Sequence, residues 1–146
     1  MTNSTDQSFA GGYRAVMTAL FVGVADTLIN LLFNMAYRYG GADFPQDFVN
    51  VSYLIFGTVF IFFLIGAIYT GPRILSKKGD LIFIALFAVI TLFLFIAIGS
   101  AHLADSTIEN ERYRGMLRGL VLIDGITATA LIPFFYNSPK FEAYVV

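Results

Sequence analysis

Four long apolar runs separated by short polar stretches set the pattern of this 146-residue chain. They cover 15–37, 51–70, 81–101 and 117–136. Each is close to the roughly 20 helical residues that cross a hydrocarbon core about 30 Å thick. The second and third runs carry no charge, whereas the first contains Asp26 and the fourth contains Asp124, with Arg118 at its start. Both acids have strongly apolar flanks, Ala19–Val24 and Gly119–Ile123. Water would demand a polar face on such helices, but lipid accepts apolar side chains all round once the backbone bonds to itself. The pattern predicts an all-α membrane protein, a four-transmembrane-helix bundle forming one domain over 1–146. A polar tail is expected at 1–14 and a short tail at 137–146.

The connections support that division. Arg38–Phe48 has glycine and proline punctuation and two acids, Asp43 and Asp47. Gly71–Asp80 is a short basic turn, and Gly71-Pro72 is expected to end the second helix, since proline disfavours helical geometry in the residue before it. Ser106-x-x-Glu109 has the spacing of a capping box. The fourth helix is therefore expected to start near Thr107 and to project about two turns before entering the bilayer at Leu117. On that projection Glu109 can reach Arg112, and Glu111 can reach Arg114, at i,i+3 spacing.

Composition agrees. Charged residues make up only 13% of the chain, against about one-quarter in soluble domains, and hydrophobic residues make up 58%. The eight tyrosines fall near or beyond the ends of the runs while phenylalanine fills their middles, as expected when a hydroxyl seeks the interface. A net charge of −1 gives no basic field for nucleic acid. The absence of cysteine and the single histidine, His102, argue against thiolate metal sites and bis-histidine haem. No cofactor is expected. Arg73, Lys77 and Lys78 make their turn the most basic short loop, which favours cytoplasmic termini, although Arg112, Arg114 and Arg118 pull the other way. The expected location is a bacterial-type inner or plasma membrane, with the first segment serving as an uncleaved signal.

The candidate chemistry lies in the two acids at membrane depth. Asp26 shares a helical stripe with Ala19, Gly23, Asn30, Asn34 and Tyr37, which describes a face packed on protein. Asp124 lies beside Thr127 and Ala128, near the small-residue spacings Gly115-x-x-x-Gly119 and Gly125-x-x-x-Thr129. In an antiparallel arrangement of helices one and four, the two acids differ in depth by only about 4–5 Å. A pair there would share a proton, hold a cation or recruit Arg118, because two poorly hydrated carboxylates resist joint ionisation. The bland alternative is a protonated aspartate fastening helices together through asparagine or threonine, with Arg118 snorkelling to the interface. His102 and Asp105, beside Ser100, are interface candidates that no motif frames.

Three functions follow. The leading one is a non-catalytic subunit or assembly component of a membrane complex, partnered by lipid and by further copies of the chain or other membrane subunits. The next is a proton- or cation-coupled small carrier or channel using Asp26, Asn30, Asn34, Asp124 and Thr127. The third is a membrane-embedded aspartyl-type hydrolase. The asparagine-rich and arginine-bearing motifs that surround the aspartates of bilayer aspartyl peptidases are absent here.

Overall fold

The computed structural model describes residues 4–40, 50–102 and 106–145. Five helices occupy them in chain order: α1 Ser4–Tyr39, α2 Val51–Leu75, α3 Gly79–Ser100, α4 Thr107–Tyr136 and the short α5 Pro139–Val145. Four are long and apolar enough to cross a membrane, over Ala10–Tyr39, Val51–Leu75, Gly79–Ser100 and Thr107–Tyr136. The chain is a small all-α membrane protein built as a four-helix bundle. Asp43, Asp47 and Asp105 lie outside the described residues.

The helices form a ring in chain order. α1 packs on α2 and α4, α3 packs on α4 and α2, and α1 and α3 stand across the diagonal. The α1–α2 seam is closest because each helix gives up a side chain where the other presses. A Cβ on Gly66 would lie 2.7 Å from the Ala19 Cβ, and one on Gly23 would lie 2.6 Å from the Phe62 Cβ. Without the glycines the helices would have to separate. Above this seam lies the main apolar core, in which Ala15, Ala19 and Val22 meet Phe62, Ile65, Tyr69, Phe83, Phe87, Ala128 and Ile132. A smaller core at the other end joins Leu54, Tyr113, Met116 and Leu120.

α2 does not stop at Gly71-Pro72 as the sequence suggested; it continues through Pro72 to Leu75. The Ser76 N–H closes on the Pro72 carbonyl at 3.0 Å, and Arg73, on the added turn, bonds Tyr69 and Asp80. Tertiary bonds therefore outweigh the local preference. α4 starts at Thr107 with Ser106 as N-cap, but the Ser106 side chain makes no capping bond, so this half of the capping box is not formed. Arg114 does bond Glu111, at 3.1 Å. Residues 4–14 are helical as part of α1, and α5 lies within 137–146.

α3 buries only Gly79, Phe83 and Phe87. Leu81, Val89, Leu92, Phe93 and Ile96 point outward, an arrangement that water would penalise and acyl chains accept. Its C-terminal carbonyls take cations from α4. Arg114 Nε donates to Ala101 O at 2.8 Å and Arg118 Nε to Phe95 O at 3.2 Å, matching positive charge to the negative helix end.

Candidate functional site: an acidic cluster inside the bundle

Positions four apart on α1 form a row that faces the other helices. Thr18, Val22, Asp26, Asn30 and Asn34 are all buried along it, and half-buried Arg14 and Arg38 continue it at the two ends. The row places an i,i+4 hydrogen bond where it is needed: Asn30 Nδ2 donates to Asp26 Oδ2 at 2.9 Å. The same nitrogen donates to Asp124 Oδ1 on α4 at 2.7 Å. One amide group thus spends both of its N–H bonds on two carboxylates. Asp124 and the buried Thr127 face Asp26 from α4.

Two oxygens of this cluster, Asp26 Oδ1 and Asn30 Oδ1, are buried with no hydrogen-bond partner. Leaving a buried polar atom unpaired costs about 1–3 kcal/mol, and more for a charged one. A single proton on the cluster changes that accounting, because a carboxylic acid donates where a carboxylate cannot. A larger cation fits less well. Asn30 turns N–H groups, not its oxygen, toward both acids, and hard metal cations ask for about six oxygens. No cluster of three or more metal-ligating side chains occurs among the described residues.

Asn34 extends the row without joining the acids. Its Oδ1 accepts from Arg38 Nε at 3.0 Å and its Nδ2 lies 4.0 Å from Met116 Sδ. It also lines a cleft of about 620 Å³ with Leu31, Met35, Arg38, Tyr39, Asn50 and Val51. Arg118 is not recruited by the acids. Its guanidinium turns to α3, over the Phe95 ring at 4.9 Å, and forms no ion pair with Asp26 or Asp124. His102 is exposed, and the Ser100 hydroxyl bonds its own helix at Ala97 O.

A second polar cluster closes the opposite end of the bundle. Tyr69 donates its hydroxyl to Asp80 Oδ1 at 2.5 Å, and Arg73 Nη1 donates to the same oxygen at 2.7 Å. Asn137 Nδ2 holds Asp80 Oδ2 at 2.8 Å while Asn137 Oδ1 accepts from Arg73 at 3.0 Å. The guanidinium of Arg73 lies 4.3 Å from the Tyr136 ring centre and that of Arg14 lies 4.8 Å from it. Arg14 also donates to the Tyr136 carbonyl. Every helix of the ring contributes. The signal for this cluster in the sequence is the Tyr69–Arg73 spacing of four with Asp80 just past the turn.

No protein-family model, curated protein or solved structure matches this chain.

Proposed function

We propose that the protein handles protons within the bilayer, as a proton-coupled small carrier or channel whose exchangeable group is the Asp26–Asn30–Asp124 cluster. The observation that supports this is a pair of unpartnered, buried oxygens, Asp26 Oδ1 and Asn30 Oδ1, in a site where neither acid has a cationic partner among the described residues. Two acids in a poorly hydrated site resist joint ionisation, so the pair takes up and shares a proton. Asn30 holds whichever oxygens remain as acceptors. Val22 and Phe62 are fully buried on one side, and on the other the polar row leads through Asn34 to the cleft that Asn34 lines. Proteoliposomes with an internal pH-sensitive dye test the reading under an imposed proton or cation gradient. Wild-type flux that falls in Asp26→Asn and Asp124→Asn supports it, and equal flux in all three proteins refutes it.

The outward face of α3 favours a second reading, a subunit or assembly component that packs α3 against another copy or another membrane protein. Stable stoichiometric co-purification in mild detergent supports it; a lone monomer with no crosslinked partner in native membranes counts against it.

A further inference from the structure

We infer that the acidic cluster is reached from one end of the bundle only, the end where α1 finishes, and that the Tyr69–Arg73–Asp80–Asn137 network is the gate of the other end. The inference rests on the proton-handling reading for its purpose, but its geometry stands on three separate observations.

The first is the composition of the α1 row on either side of Asp26. Toward Arg38 the row is polar at every step, through Asn30 and Asn34. Toward Arg14 it is broken by Val22, which is 0% exposed. The second is packing. The Val22 side belongs to the large core fed by all four helices, with Phe62, Phe83 and Ile132 fully buried. The Asn34 side has the small core and the cleft that Asn34 and Leu31 line. The third is the network itself. Asp80 is the shared acceptor of Tyr69, Arg73 and Asn137, so α2, α3 and α4 are held together at that end by one side chain.

Beyond the Val22 break the row has one more polar group. Thr18 Oγ1 is buried without a hydrogen-bond partner, although a helical threonine ordinarily bonds the carbonyl one turn back. It lies two helical turns, about 12 Å, from Asp26, so a proton passes between them only when the closed end loosens enough to admit water past Val22. Release of Asp80 would free the ends of α2 and α4 together, opening a path from Thr18 past Tyr69. The cluster faces the Asn34 cleft while the network holds, and the Thr18 side is reached when it breaks.

The chain has no cysteine, so single cysteines report accessibility without background. Full-length protein in sealed vesicles is treated with a membrane-impermeant thiol reagent from either face, carrying Asn34→Cys or Leu31→Cys at the open end and Thr18→Cys or Ala15→Cys at the closed end. The open-end variants are expected to react from one face at least about tenfold faster than the closed-end variants, which react only through local opening. Adding Asp80→Ala, which removes both acceptor oxygens, is expected to raise closed-end labelling from the opposite face by about the same factor. Equal labelling at both ends, protection at both ends, or closed-end labelling unmoved by Asp80→Ala would overturn the inference. Labelling needs no proton movement, so these results are independent of the flux assay. The paired positions at each end cover the case in which one variant does not fold.

Discussion

Asn30 on α1 and Asp124 on α4 are 94 residues apart in sequence and 2.7 Å apart in space. That bond, with the parallel one from Asn30 to Asp26, makes a neutral amide the meeting point of two acids at membrane depth. It sets the order in which substitutions should hurt.

Asn30→Leu should destabilise the protein more than Asp26→Asn. The leucine removes both donors, one bonded to a carboxylate and one to its protonated neighbour, a loss of about 2–4 kcal/mol if each bond contributes in the usual range. Asp26→Asn keeps the shape of a protonated aspartate and adds N–H donors beside Asn30 Oδ1. Thermal unfolding in one detergent compares them. An Asn30→Leu protein as stable as wild type would mean that the bridge has no energetic role.

The α1–α2 seam should tolerate no bulk at Gly66. Gly66→Ala places a methyl 2.7 Å from the Ala19 Cβ and 2.9 Å from the Val16 Cα. Overpacking of this kind costs about 1–3 kcal/mol, and Gly66→Leu should lose folded protein outright. Gly57 is the control, since a Cβ there meets nothing within 4 Å. Equal loss of stability from alanine at both positions would show that helix propensity, not the seam, is being measured.

How much of this was legible in the sequence depended on range. The four spans were, because lipid removes the need for a polar face and leaves run length as the signal. The depth match of Asp26 and Asp124 was also legible, since rise per residue and antiparallel order suffice. Arg118 was not: its alternatives were a counter-ion or a snorkelling side chain, and the structure turns it to Phe95 O in the C-terminal half of α3, a partner 23 residues away. Pro72 misled for the same reason. The local rule ends the helix there, while Asp80, across the turn, rewards one more turn by binding Arg73. Asn137 falls in the stretch expected to be a short C-terminal tail, yet it closes the network on Asp80.

The Arg73–Asp80 pair should show modest coupling. Their side chains are 32% and 34% exposed, so solvent screens the charge and a double-mutant cycle should return about 0.5–1 kcal/mol. Asp80→Ala should cost more than the pair alone, because Tyr69 and Asn137 each lose the carboxylate oxygen they donate to as well. A cycle of zero coupling, with Asp80→Ala neutral, would remove the network from the forces holding the closed end.

Exchange of the proton at Asp26 and Asp124 is the central claim, and infrared spectroscopy of the reconstituted protein measures it most directly. The protonated-carboxyl C=O band should be present near neutral pH, shift when the vesicles are moved into D2O, and disappear in the Asp26→Asn, Asp124→Asn double variant. A band that the double variant removes but that D2O never shifts would mean a locked proton serving only to fasten α1 to α4. That result would contradict the proton-handling account.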